Sequence, residues 1–151
     1  MKTAVLLNGN AKRVTPGLIR NFQELVPHQD LRVSRTMQEG QAIVEDLVEN
    51  GYGRIMSGGG DGTFVQVVND LVEVVSRRHG EGRATQMPRV GILRLGTGNA
   101  VASFLGSSRP TRDLIRLRDG RVGAPIPLSL IESEGRRFPF AGFGYDGELL
   151  N

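Results

Sequence analysis

The stretch Ser57-Gly-Gly-Gly-Asp-Gly-Thr63 decides how this chain is read. Before it stands the strand-like run Arg54 to Ser57; after it, Phe64, Val67, Val68, Leu71, Val74 and Val75 recur at helical spacing up to His79. A glycine loop between strand and helix lets backbone N–H groups approach an anion without Cβ obstruction, and the helix behind it presents the positive end of its dipole. A phosphate suits such a nest, and Thr63 adds a hydroxyl donor. Asp61 is the discordant member. An acid beside a bound phosphate repels it unless a cation mediates or the carboxylate accepts a proton from a nucleophile, and both roles are chemical.

The same strand–turn–helix unit repeats on either side. Upstream, the apolar run Ala4-Val-Leu-Leu7 has the composition of a strand buried on both faces of a parallel sheet, and it turns at Asn8-Gly-Asn10. Thr15 and Pro16 cap and open a helix carrying Leu18, Ile19, Phe22, Leu25 and Val26. A short strand near Asp30 to Ser34 leads to Thr36, which stands in capping-box register with Glu39 ahead of a helix stopped by Gly51. Downstream, Arg89 to Leu95 is a strand, Gly96-Thr-Gly98 a second glycine turn, and Ala100 to Leu105 a short helix. Thr111 is expected to cap a further helix through Leu117. This alternation predicts an α/β fold, a mostly parallel sheet with helices on both faces. Beyond it the texture changes. Ile126, Leu128 and Leu130 alternate, Glu132 to Gly135 reads as a turn, and Phe138 and Phe140 alternate again, as in a β-hairpin. The expected organisation is an α/β nucleotide-binding domain over 1–122, then 123–151 as the start of an antiparallel β domain that is otherwise absent. An edge hairpin completing a single domain is the alternative.

Composition narrows the chemistry. The chain has 151 residues, 38% hydrophobic and 23% charged, which is room for one ordinary folded domain. Its 21 glycines are about twice the usual share, and they cluster in the turns just described. Cysteine is absent, so disulfides, thiolate nucleophiles and cysteine-ligated metals are excluded. His28 and His79 lack partners at metal-ligand spacing, which argues against a zinc hydrolase. No apolar run reaches the roughly 18 residues of a membrane span, and Met1 to Leu7 lacks the features of a signal peptide, so a cytoplasmic location is expected. The net charge of +3 fits an acidic ligand or an anionic surface and does not call for nucleic acid.

In open α/β sheets ligands bind beyond the carboxyl ends of the strands, so Asn8 to Lys12, Ser34 to Glu39, Ser57 to Thr63 and Leu95 to Asn99 are the segments to converge. Thr97 and Asn99 supply a hydroxyl and a carboxamide to phosphate or ribose oxygens. Thr36 reads first as a helix cap and Lys12 as a surface charge. Neither glycine cluster satisfies the P-loop pattern or the dinucleotide-binding fingerprint, since Thr63 and Val101 occupy the final positions of the latter.

Taken in order, Gly58-Gly-Gly-Asp-Gly-Thr63, Val67-Val-Asn-Asp-Leu71 and Gly91-Ile-Leu-Arg-Leu-Gly-Thr-Gly-Asn99 resemble the catalytic domain of the diacylglycerol kinase and sphingosine kinase family of lipid kinases. Asn8-Gly-Asn-Ala-Lys12 is similar to that family's opening Asn-Pro-x-x-Gly-Lys turn, and Gly144-Tyr-Asp146 to the Gly-Phe-Asp pattern that starts its second domain. The chain departs from the family at Gly9, where proline is usual, at Ala100, where many bacterial members carry aspartate, and at Arg94 and Leu95 before Gly96.

The resemblance implies transfer of the ATP γ-phosphoryl group to a lipid hydroxyl, of diacylglycerol or a sphingoid base, with ATP and Mg²⁺ as cofactors. Asp61 would be catalytic, either as general base or in the water network around Mg²⁺. Asn8, Lys12, Thr36, Gly59, Gly60, Gly62, Thr63, Gly96, Thr97, Gly98 and Asn99 would bind the nucleotide, and Asp146 would face the acceptor. No metal ligand is assigned. The implied partners are a nucleotide, a lipid at a membrane surface and a second copy in a homodimer; Arg112, Arg116, Arg118 and Arg121 read first as a solvated face and, in the resemblance, as a contribution to attraction by an anionic leaflet. A NAD kinase-like phosphotransferase shares the Asp61 loop and is the alternative, as is a nucleotide-binding fragment without turnover.

Overall fold

The computed structural model describes residues 1–139. Four parallel strands form the main sheet: β1 (Thr3–Asn8), β2 (Leu31–Ser34), β3 (Arg54–Gly59) and β4 (Arg89–Arg94), in the order β2-β1-β3-β4. Five helices connect or follow them: α1 (Pro16–Gln23), α2 (Met37–Glu49), α3 (Asp61–Gly80), α4 (Ala100–Phe104) and α5 (Pro110–Arg118). A separate antiparallel hairpin, β5 (Ile131–Ser133) with β6 (Arg136–Phe138), follows.

The apolar run of β1 is explained by burial on both faces. Ala4 and Leu6 pack with Val44 and Leu47 of α2 and Val67, Leu71 and Val74 of α3. Val5 and Leu7 face the other way, onto Phe22 of α1 and Leu114 of α5. The helices thus cover both faces of the sheet, as the alternating pattern predicts.

Local chemistry sets the helix ends. Thr15 Oγ1 accepts from the Leu18 N–H at 3.2 Å, with Pro16 opening α1. Thr36 Oγ1 accepts from the Glu39 N–H at 3.0 Å while the Glu39 carboxylate accepts from the N–H of Arg35, the residue before the cap, at 2.6 Å, a variant of the expected capping box of α2. Gly51, at φ 72°, ends that helix in the left-handed region.

Two expectations are corrected. Thr111 does not cap α5: Pro110 takes the first turn with its fixed φ, leaving Thr111 inside the helix and Arg109 at the cap. No side chain caps α5; Asp113 instead fixes the chain leading into it, its carboxylate accepting from the Ser108 N–H at 2.8 Å and the Ser108 hydroxyl at 2.5 Å. Ile126 to Leu130 is not a strand either. Leu128 packs against Phe64 and Ile92, but Ile126 is exposed and, among the described residues, no strand lies alongside the segment. The hairpin is therefore shorter than expected, three residues a side around Glu134 and Gly135. Phe140 and the Gly144-Tyr-Asp146 pattern lie outside the described residues.

Candidate nucleotide site

Strand register brings the predicted loops to one rim. Asn8 pairs with Ser34, Leu7 with Gly58, and Gly59 with Arg94, so β1, β2, β3 and β4 end in one row. The turns after them emerge side by side.

The two glycine turns touch backbone to backbone. A Cβ on Gly96 would overlap the main chain of Gly60, and one on Gly60 would lie 3.0 Å from the Gly98 carbonyl oxygen. The Asp61 N–H donates to that Gly98 oxygen at 3.1 Å, and the Leu95 N–H to the Gly59 oxygen at 3.1 Å. Glycine at 60 and 96 is thus a requirement of the contact between the loops.

Asp61 crosses the same junction. Its Oδ2 accepts from the Ala100 N–H at 2.9 Å and its Oδ1 from the Val101 N–H at 3.0 Å, so the carboxylate of the first loop caps the helix that follows the second. The N-terminus of α4 therefore already holds an anion, the protein's own. The N-terminus of α3 does not. Gly60 provides no side-chain cap, so the N–H groups of Gly62 and Thr63 in the first turn have no partner from the capping residue. Gly62 has open space where a Cβ would stand.

Thr63 is held from two sides. Asn8 Nδ2 donates to Thr63 Oγ1 at 3.0 Å, which leaves the hydroxyl proton free to donate onward. Gly59 makes room for this, since a Cβ there would collide with the threonine side chain. Asn8 Oδ1 accepts from the Asn10 N–H at 3.0 Å, and Asn10 Nδ2 donates to the Arg35 carbonyl at 2.6 Å, which ties the first and second loops. Asn99 shapes its own turn, donating to the Gly96 carbonyl at 2.7 Å and accepting from the Gly96 N–H at 3.3 Å. Lys12 and Thr97 are exposed.

Beside this junction lies a cleft of about 440 Å³ whose lining includes Asn8, Thr36, Gly62, Thr63, Gln66 and Asp70. It gathers candidates from three of the four loops. Gln66 and Asp70 are additions that the loop-by-loop reading misses, because they sit on α3 and not in a turn. Their signal is the spacing Gly62, Gln66, Asp70, which puts them on one stripe of α3 in line with the glycine loop. Asp70 is 4% exposed, and burial pushes its carboxyl above the ordinary carboxylate range, against a 2.7 Å hydrogen bond from Gln66 Nε2 that pulls it down. A larger groove of about 600 Å³ runs along the outer edge of β4, lined by Phe64, Val68, Val90, Ile92 and Leu128 among others. It contains none of the glycine-turn residues and is not this site.

Of the four arginines considered for an anionic surface, Arg116 pairs with Asp113, and Arg118 and Arg121 with Asp119. Among the described residues no group of three or more His, Asp or Glu side chains is placed to hold a metal ion, and no helix is long and apolar enough to cross a membrane.

A family model of the diacylglycerol kinase catalytic domain matches residues 2–124. The chain belongs to the diacylglycerol kinase catalytic domain family. Within this lipid kinase family it is 32% identical over 121 residues to a protein of Pseudomonas aeruginosa named "Probable lipid kinase YegS-like", covering 77% of this chain and 36% of that protein. A protein of the same name from Chromohalobacter salexigens is 27% identical over 117 residues, covering 76% and 35%. The fold matches a crystal structure titled "putative diacylglycerol kinase" from Bacillus anthracis with a TM-score of 0.64 at 19% identity, over 91% of this chain and 47% of that one. The chain thus spans about a third of the length of the curated relatives it matches.

Proposed function

We propose that this chain carries the nucleotide-binding half of a lipid kinase that transfers the ATP γ-phosphoryl group to a lipid hydroxyl, of diacylglycerol or a sphingoid base. The observation that carries the reading is the junction of the two glycine turns at the carboxyl edge of the sheet, beside the uncapped N-terminus of α3. Gly62 and Thr63 offer backbone donors there, Thr63 and Thr36 offer hydroxyl protons, and Asn8 fixes the Thr63 side chain. Together they suit the tail of a nucleoside triphosphate.

Asp61 ties the loops with one lone pair on each oxygen, and a carboxylate oxygen has a second. Those outward lone pairs are what would take the acceptor's proton or hold a water of hydrated Mg²⁺. Asp61 is the carboxylate that would hold hydrated Mg²⁺ here, an ion that keeps several waters and leans on substrate phosphates. When bound it would neutralise charge on the transferring group. Lys12, Thr97, Gly98 and Asn99 complete the proposed pocket at its rim, Asp146 is proposed to face the acceptor, and the hairpin is proposed to begin a second domain. Peripheral membrane attachment and a homodimer belong to the same proposal.

A second reading, a nucleotide-binding unit without turnover, draws on Asp61, whose two carboxyl oxygens already accept from the Ala100 and Val101 N–H groups. One assay separates the readings: the 151-residue chain with γ-labelled ATP and, in parallel, diacylglycerol, sphingosine and NAD. The expected result is label in a lipid with the wild type, none with Asp61→Asn, and an ATP Kd equal in both within about threefold. Label in NAD instead would overturn the lipid reading. ATP binding without transfer to any acceptor would establish the second.

A further inference from the structure

Asn69 lies on α3, inside the Val67-Val-Asn-Asp-Leu71 segment, and the proposed chemistry gives it no task. Its side chain faces the hairpin. Asn69 Oδ1 accepts from the Arg137 N–H at 2.8 Å, and Asn69 Nδ2 donates to the Arg137 carbonyl at 2.9 Å and to the Val65 carbonyl at 2.8 Å. One acceptor and both amide protons are in use. A carboxamide is the side chain that supplies this set; a carboxylate lacks the donors and leucine lacks everything.

The hairpin needs such a partner at that residue. Glu134 and Gly135, with φ of 51° and 74°, make a two-residue turn. Ser133 and Arg136 are then the hydrogen-bonded pair beside the turn, and Glu132 and Arg137 the next, non-hydrogen-bonded pair. At that pair the backbone N–H and C=O point away from the neighbouring strand. Asn69 meets both, as one residue of a third strand would. Two strands of three residues are marginal alone in water, so an outside partner decides whether the hairpin is ordered. A second tie lies one helical turn nearer the phosphate loop. Arg136 Nη2 donates to Gln66 Oε1 at 3.2 Å, and Gln66 lines the cleft with Thr63.

We propose that Asn69 is a positioning residue whose carboxamide locks strand β6 onto the helix that begins at the phosphate loop. The link to turnover rests on the kinase reading above; the lock itself does not.

The test is amide hydrogen exchange on the whole chain, beside ATP affinity and phosphoryl transfer. In Asn69→Leu the Arg137 amide should exchange at least tenfold faster while the α3 amides keep their protection. The Kd and KM for ATP should hold within about twofold, and kcat toward the lipid acceptor should fall at least tenfold. Asn69→Asp, which keeps the acceptor and nearly the same volume, should give intermediate exchange, and it carries the test if the leucine variant does not fold. Glu132→Ala, which removes only the surface ion pair with Arg137, should match the wild type in every readout. Unchanged Arg137 exchange in both Asn69 variants overturns the lock, and wild-type kcat in a variant whose hairpin has lost protection overturns the positioning role. A wild-type chain that neither binds ATP nor transfers phosphate overturns the kinase reading, and the exchange rates then judge the lock alone.

Discussion

At Asp70 the fold keeps a carboxylate almost out of water with one neutral hydrogen-bond donor, Gln66, to compensate it. Burial disfavours the charged form first, Glu73 adds to that, and the Gln66 bond and Arg136 oppose it. The folded protein therefore holds the Asp70 proton at pH values where the unfolded chain has lost it. Stability falls as pH rises from the ordinary carboxylate range to the raised folded value, and the full penalty is present above that. Asp70→Asn keeps an acceptor for Gln66 and discards the charge. Its melting temperature at pH 7 should exceed that of the wild type by a few degrees, on the order of 1 kcal/mol. The difference between the two proteins should shrink toward zero near pH 3. A difference independent of pH in thermal melts would remove ionisation of Asp70 as its cause.

Among the elements, α2 shows one residue serving the fold and the proposed site together. Thr36 caps the helix with its lone pair and lines the cleft with its hydroxyl. Thr36→Ala should cost about 1 kcal/mol of stability and weaken ATP binding, whereas Thr36→Ser should restore both in calorimetry. The elements of the parallel sheet were legible because their signals are local: an apolar run buried twice, a cap, a glycine stop. The failures share a cause. Alternation at Ile126, Leu128 and Leu130 reports which side chains turn inward but not whether a neighbouring strand exists to pair with. Thr111 has the right chemistry for a cap, yet Pro110 fixes the first turn one residue ahead of it. Within the proposed site the glycine turns were legible from composition. The positions of Gln66, Asn69 and Asp70 were legible but their roles were not, because a polar residue on a helix declares its role only when its neighbour across space is known, and for Asn69 that neighbour is 68 residues away.

On the scale of the whole molecule the chain has two poles. α2 begins at the carboxyl rim, beside the candidate site, and ends at the opposite rim, where Glu45 and Glu49 meet Arg77, Arg78 and Arg83. Hydrogen bonds from Arg83 and then Arg78 hold the Glu49 carboxyl below its ordinary value. The stability it adds is present above the unfolded value and is lost as pH falls through the folded one. Glu49→Gln should lower the melting temperature slightly at pH 7, have no effect once Glu49 is protonated in the wild type, and leave ATP affinity untouched; a changed Kd would mean that the poles communicate. At the other pole, the abutment of Gly60 on Gly96 limits anyone who would redesign this protein. A surface made of main chain has no rotamer to adjust and no side chain to exchange, so altering which donor molecule the proposed site would hold means editing its proposed periphery, at Lys12 or Thr97, and leaving the centre alone.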